Sequence, residues 1–382
     1  MTPIYLDNAA TTQADPSVIE YMSTILARGP SNPSSLHSCG RAARNLVDET
    51  TDKVGKCLGT KLDEPGGNRL IYTSSGTEAN NLVLRGLGNV DRLIVSEIEH
   101  PSVLSVAKWI QSRGKKLDLL TVSSSGVVCL EKLEQLLQDS QSNTTLVSVM
   151  WANNETGVLQ PINEVSLLCD RYGAKLHVDA TQCVGKEPLD LDAYSISSMT
   201  FSAHKFHGPV GIGGLWIAGG ESIEPMMFGG EQQLESRPGT EPVALIAGMG
   251  EALRIAVENR TINDVQCGFL RDRLEKSLLE KFPDIIVQGC SENRISTTTC
   301  VSLMGADRQS LLMALDLAGI ACSSGSACSS GSSPPSHVLQ AMNCSSEEID
   351  SAIRFAVSRF STESEIDTAI DRISCVYKRL RR

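Results

Sequence analysis

Two charged residues of opposite sign stand at the ends of apolar, strand-like runs. Asp179 ends the apolar run in "HVDATQ" (177–182), and Lys205 follows the run in "TFSAHKFHGPVG" (200–211), one strand–loop–strand step later. A carboxylate buried at a strand end needs a partner, and a heteroaromatic nitrogen that must stay protonated would be one; capping a helix is the other use of an Asp there. A lysine in such a place is either a solvated surface residue or, with its pKa lowered by partial burial, an amine able to form imines. In "TSSGTEANN" (73–81) a strand ends at Ser74-Ser75-Gly76 and a helix begins at Thr77. Free N–H groups and the positive end of the helix dipole could seat a phosphate there, although an ordinary N-cap reads the same way. Asn154, in "MWANNETG", also follows an apolar strand directly. A phosphate cradle, an anion opposite a ring nitrogen and a lysine to hold an aldehyde together describe a pyridoxal phosphate site. A further reactive candidate is Cys328 in "ACSSGSACSSGSS" (321–333), a run otherwise made of Ser, Gly, Ala and Cys322.

These residues require a scaffold that brings several strand ends together, and the chain supplies one. The runs "RLIYTSS", "RLIVSE", "KLDLLTV", "TLVSVMWA" and "KLHVDA" alternate with amphipathic stretches such as "TEANNLVLRGLG", "PSVLSVAKWIQSRG" and "INEVSLLCDRYG". That alternation predicts an α/β domain with a mostly parallel sheet flanked by helices, which gathers ligands at the carboxyl ends of its strands. Beyond the Gly-rich segments 208–220 and 229–242 the pattern changes to long helices, about 243–258 and 262–281, then to a smaller α+β unit. The expected division is a large domain over 16–258 and a small one made of 1–15 with 259–382. The composition of 323–333 favours a flexible loop.

Composition bounds the remaining possibilities. The chain has 382 residues, 41% hydrophobic and 21% charged, with no apolar stretch long enough to cross a bilayer. A formal charge of −11 argues against nucleic acid as a partner. Twelve cysteines scattered through so long a chain point to a reducing, cytoplasmic setting, with residues such as Cys169 filling the core. No C-x-x-C or adjacent histidine pair supports a metal site.

The ordered motifs "YLDNAATT", "NPSSLH", "SSGTEANN", "EHPSV", "NNETG", "HVDATQ", "SAHKFHGPVGIG", "RPGTEP", "SSGSAC" and "IRFAVSRF" run nearly from end to end. In order and approximate spacing the chain resembles the cysteine desulfurases, pyridoxal phosphate enzymes of fold type I in the class V aminotransferase group. The resemblance implies that Lys205 holds the cofactor aldehyde, Asp179 pairs with the pyridine nitrogen and Gln182 bonds the ring hydroxyl. His100 would stack on the ring and assist proton transfer. Gly76, Thr77, Ser202 and His204 would cradle the phosphate, with Thr240 reaching it from the neighbouring subunit of a homodimer. Asn154 and Arg354 would grip the substrate carboxylate, and Cys328 would be the catalytic thiol.

The implied reaction starts with L-cysteine displacing Lys205, which then takes the α-proton. The Cys328 thiolate removes the substrate's sulfur as a persulfide, alanine leaves, and His100 is a candidate to receive the thiol proton. The sulfur would pass to an acceptor or iron–sulfur scaffold protein. Selenocysteine lyase shares every cofactor residue and is the alternative activity; a silent sulfur-relay scaffold is the alternative of another class. Pro238, where members often carry Ser, could present Thr240 differently, and Cys322 is an additional thiol expected to be structural. His37 and His207 are expected to be structural too.

Overall fold

The computed structural model describes residues 3–88, 90–139, 144–325 and 334–381. Its centre is a seven-stranded sheet in the order Arg69–Thr73, Gly213–Ile217, Ser198–Ser202, Lys175–Asp179, Thr145–Ser148, Arg92–Ser96, Lys116–Leu120. The last five of these run parallel, and Gly213–Ile217 is antiparallel to both of its neighbours. Short Val/Ile/Leu-rich strands separated by helices produce this arrangement because parallel strands need crossover connections, and the helices then cover both faces.

The period of two in the strands shows how the faces are divided. Leu93 and Val95 pack with Ala79, Val83, Val103 and Ala107 from the helices Gly76–Gly86 and Pro101–Gln111. Ile94, between them, joins a larger cluster on the other face with Leu133, Val165 and Ala252. Each such aliphatic side chain removed from water contributes about 1.5–3 kcal/mol, enough to fix register where both faces are covered.

Away from the two clusters on the sheet faces, a separate, second core gathers Ile4 and Leu6 with Leu270, Leu274, Val301, Leu311, Phe355 and Ile373. It holds a three-stranded antiparallel sheet, Ala352–Ala356, Thr298–Ser302 and Ile286–Val287, together with the helices Arg260–Lys281 and Glu363–Leu380. The N-terminal segment docks there, with Ile4–Tyr5 parallel to Ile320–Ala321 and the Ala356 amide donating to the Leu6 carbonyl at 2.7 Å.

The structure shifts two boundaries. The helix expected from Thr77 starts at Gly76, because the Ser75 hydroxyl accepts the Glu78 amide at 3.2 Å and caps the turn. The start of the Ser/Gly run is not loose. Ser323 exchanges main-chain hydrogen bonds with Arg354, at 3.3 and 2.6 Å, and Ser324 is buried. Small side chains offer little apolar surface, so composition suggested a loop, but here backbone pairing with a strand supplies the order. Residues 326–333, including Cys328, lie outside the described residues.

Candidate active site

Asp179 is the last residue of its strand, and the adjacent parallel strand Ser198–Ser202 runs into a single 3₁₀ turn, 203–205, that ends on Lys205. Strand adjacency, invisible in the sequence, places the two ends side by side. Asp179 is buried. Its Oδ1 accepts the Thr181 amide at 3.0 Å and its Oδ2 accepts Asn80 Nδ2 at 2.8 Å. Among the described residues it has no ion-pair partner, so a buried anion stands ready for a cationic one.

Lys205 Nζ donates to the carbonyls of Ala9 and Ala10 at 2.6 and 2.8 Å. Burial, reinforced by the positive charges of Arg354 and Lys186, lowers its pKa to about 7. A large share of this amine is therefore neutral near neutral pH, which an imine-forming nucleophile and base requires. The "YLDNAATT" segment forms the other wall. Thr12 donates its amide to the His204 carbonyl at 2.9 Å, and Thr11 Oγ1 lies 3.1 Å from His204 Nδ1. Burial drives His204 down to about 4, so it is a neutral imidazole.

Between Asp179, the Lys205 turn and the helix at Gly76 lies a cradle. A Cβ on Gly76 would come within 3.3 Å of Thr181 Oγ1 and 3.7 Å of Ser202 Cβ, and the main-chain N–H groups of Gly76 and Thr77 have no acceptor among the described residues. The Ser202 and Thr200 hydroxyls are buried without a partner among the described residues. Orphaned donors around a helix N-terminus are what an anionic phosphate satisfies. Thr77 is exposed, and with His100, Asn81, Arg85, Ser105 and Trp109 it lines a cleft of about 570 Å³.

Arg354 sits in the strand Ala352–Ala356 and is buried. Its Nη2 pairs with Asp7 Oδ1 at 2.9 Å, its Nη1 donates to the Asn154 carbonyl at 2.8 Å, and its Nε is buried without a partner among the described residues. Asn154 thus meets Arg354 through its main chain. Gln182 Nε2 donates to the Ala9 carbonyl at 3.0 Å, while its Oε1 accepts Lys186 Nζ at 3.1 Å. One amide hydrogen of Gln182 remains for another acceptor. Thr240 is exposed in the single chain, beyond Gly239 at φ 114°, and has no hydrogen bond to these residues among those described. Cys322 packs partly buried against the second core, and burial pushes its thiol up to about 12, so it is protonated. His37 caps a helix through Nδ1, and His207 stands edge-on to Phe360 while its Nδ1 bonds the Gln13 carbonyl.

The family model described as Aminotransferase class-V matches residues 4–368. The chain belongs to the class-V aminotransferase family. Among curated members of that family, it is 39% identical to the "Cysteine desulfurase" of Nostoc sp., covering 100% of this chain and 94% of that one. It is 37% identical to the "Cysteine desulfurase NifS" of Azotobacter vinelandii, with the same coverage. Its fold is similar to the X-ray structure of a NifS-like protein from Rickettsia africae, with TM-score 0.89, 34% identity and 98% and 99% of the two chains covered.

Class-V aminotransferases depend on pyridoxal phosphate, and the residues here fit that group: an unpaired buried carboxylate, a lysine with a lowered pKa and a cradle of orphaned donors. Several contributors carried no assigned role at the sequence level. Asp7 and the Ala9 and Ala10 carbonyls lie within a quoted motif, but their use depends on the chain crossing from one core to the other. Asn80 and His177, also within quoted motifs, form a hydrogen-bonded layer behind Asp179. Lys186 is half-buried beside Gln182, where desolvation lowers its pKa to about 8. No helix among the described residues is long and apolar enough to cross a membrane.

Proposed function

We propose that this chain is a pyridoxal phosphate-dependent cysteine desulfurase that converts L-cysteine to L-alanine and passes the sulfur through Cys328 to an acceptor or iron–sulfur scaffold protein. The observation that carries the reading is the convergence of Lys205, Asp179 and Arg354 with the root of the Cys328 segment. Ser323 pairs with Arg354 through the main chain, and on the far side of the segment the Ser336 hydroxyl bonds Glu155, next to Asn154, at 2.5 Å. A plain aminotransferase has no use for a thiol rooted at its carboxylate-binding arginine.

Pyridoxal phosphate, when bound, supplies an electron sink for charge developing at the substrate's α-carbon. Ser202, His204, Gly76 and Thr77 would hold its phosphate, Asp179 its ring nitrogen and Gln182 its ring hydroxyl, with His100 over the ring. Arg354 receives the substrate carboxylate, assisted by Asn154. Lys205 takes the α-proton at Nζ, and the Cys328 thiolate takes the sulfur. Measuring alanine from L-cysteine, and the equal amount of sulfide that a dithiol reductant releases from the persulfide, tests the proposal; absence of both from cofactor-loaded protein would overturn it.

The cluster around Leu270 and Phe355, drawn wholly from 1–15 and 259–382, supports a small unit of those residues beside a large one over 16–258, although the large unit's cluster also takes in Ile295, Val338 and Ala352 along their border, where the site lies. Exposure of Thr240 supports its reaching a second subunit's phosphate site. Co-expressing Lys205→Ala chains with Thr240→Ala chains should then give hybrid dimers with one complete site each, recovering about half the activity of the native dimer. A mixture no more active than the two parents' average would exclude shared sites.

Arg354→Lys is expected to raise KM for L-cysteine by about 10²-fold while leaving kcat within a few-fold. A point charge loses the planar fork and one charge-assisted hydrogen bond worth about 1.5–3 kcal/mol. Steady-state kinetics separate the two constants, and an unchanged KM would remove Arg354 from the carboxylate site.

A further inference from the structure

Behind the Lys205–Asp179 pair, side chains from four elements join in one hydrogen-bonded network. Asn80 is at its centre, almost fully buried in the helix Gly76–Gly86. The donor and acceptor roles can be assigned by starting from atoms that have no choice. The Ser102 main-chain N–H can only donate, and it donates to His100 Nδ1 at 3.1 Å, where His100 is the N-cap of the helix Pro101–Gln111. Nδ1 is therefore an acceptor without a proton. The Ser102 hydroxyl, 2.8 Å from the same nitrogen, must donate to it as well. That hydroxyl is left to accept Asn80 Nδ2 at 2.9 Å. The other hydrogen of Asn80 Nδ2 goes to Asp179 Oδ2 at 2.8 Å, a carboxylate that only accepts. Both amide hydrogens are now used and the amide orientation is fixed. Its Oδ1 lies 3.1 Å from His177 Nε2, which must carry a proton. His177 is neutral, since burial drives it to about 4, and its Nδ1 meets the Ser198 hydroxyl at 2.9 Å.

We propose that Asn80 is a positioning residue whose two N–H bonds orient Asp179 and hold His100 as the Nε2–H tautomer, so that His100 meets the substrate as a hydrogen-bond donor. The inference rests on the desulfurase reading for its consequence, though not for its geometry. His100 Nε2 has no partner among the described residues, and the ring borders the cleft that also holds Thr77. Protonating Nδ1 would break the helix cap and place a cation at the positive end of a helix dipole. Desolvation by the surrounding wall, helped by the charge of Lys205, also holds His100 below its ordinary pKa against the pull of Asp179, while the residue stays exposed at the cleft. In this tautomer the one basic nitrogen, Nδ1, faces Ser102, and the nitrogen turned to the cleft, Nε2, carries a hydrogen and has no lone pair to offer. His100 can stabilise negative charge on an adjacent atom by donating Nε2–H, as a neutral electrophile does. With His100 in this tautomer, Nε2 cannot accept the thiol proton directly, and Lys205, with its pKa near 7, is an amine able to receive it.

The test is ¹⁵N NMR of histidine-labelled protein without cofactor at neutral pH, with His100 assigned by the loss of its signals in His100→Gln. The expected result is a pyridine-type, unprotonated Nδ1 and a pyrrole-type, protonated Nε2. An Nδ1–H tautomer or an imidazolium would overturn the proposal. In cofactor-loaded Asn80→Ala, kcat should fall by about 10²-fold with KM for L-cysteine little changed, and the His100 signals should move toward a tautomer mixture. A folded Asn80→Ala with native kcat and an unchanged His100 spectrum would overturn the positioning role. The native spectrum decides the tautomer even if that variant does not fold. Protein that shows the expected tautomer but forms no alanine would sink the desulfurase reading and leave this one standing.

Discussion

Replacing Lys205 by alanine is expected to reduce alanine formation from L-cysteine by at least ~10⁴-fold, since in the proposed reaction one group both holds the cofactor aldehyde and takes the α-proton. Chromatographic measurement of alanine checks this, and activity within ten-fold of native would remove Lys205 from the mechanism. The amine also makes a prediction about stability. Its folded pKa is about 7, below the roughly 10.4 of an unfolded lysine. Below pH 7 both states are protonated and the folded chain bears the full cost of a buried cation. Between about pH 7 and pH 10 the unfolded chain binds the extra proton, so stability rises with pH across that window. Cofactor-free Lys205→Met should therefore be more stable relative to native protein at pH 6 than at pH 9, by on the order of a few kcal/mol. Urea unfolding at the two pH values measures the gap, and a gap that widens with pH would contradict the depressed pKa.

Cys328→Ala is expected to abolish sulfide and persulfide formation, a loss of at least ~10³-fold, while leaving the visible absorbance of the bound cofactor intact. In the proposed reaction the thiol acts only on the substrate's sulfur, and the cradle is built from other residues, Gly76, Thr77, Ser202 and His204. Cys322→Ala should keep most of the activity. Its thiol is packed against the second core and pushed up to about 12, so little thiolate exists to act as a nucleophile. Mass spectrometry after L-cysteine should find the added sulfur on Cys328. Sulfur on Cys322 instead, or full activity in Cys328→Ala, would reverse these assignments.

Local pattern made much of the scaffold legible. The strands at Arg69–Thr73, Arg92–Ser96, Thr145–Ser148 and Lys175–Asp179, and the helices between them, fall where apolar periodicity places them. Each element's own residues set its period and caps, so a single segment carries the signal. Asp179 and Lys205 were legible for the same reason, as polar residues closing apolar strands. Asn80 was not. Mid-helix Asn is unremarkable in a sequence, and its importance comes from Asp179, Ser102 and His177, which lie far away along the chain. Ser323 and Ser324 were misjudged because composition reports side-chain burial and says nothing of main-chain pairing with Arg354.

The amino-acid sequence by itself determined the α/β architecture, the strand ends that carry chemistry and the residue types available for it, because these depend on short-range periodicity and on functional groups. Only the tertiary structure decided the states of those groups. Lys205 loses its proton more readily because Arg354 and Lys186, from distant segments, share its dry surroundings. Arg354 is aimed by Asp7 across the junction of the two cores, and His100 has its proton placed by a hydroxyl and an amide held at fixed distances. Charge state, orientation and tautomer are set by neighbours within a few ångströms, and which residues become neighbours is fixed only when the strands pair and the two cores close on each other.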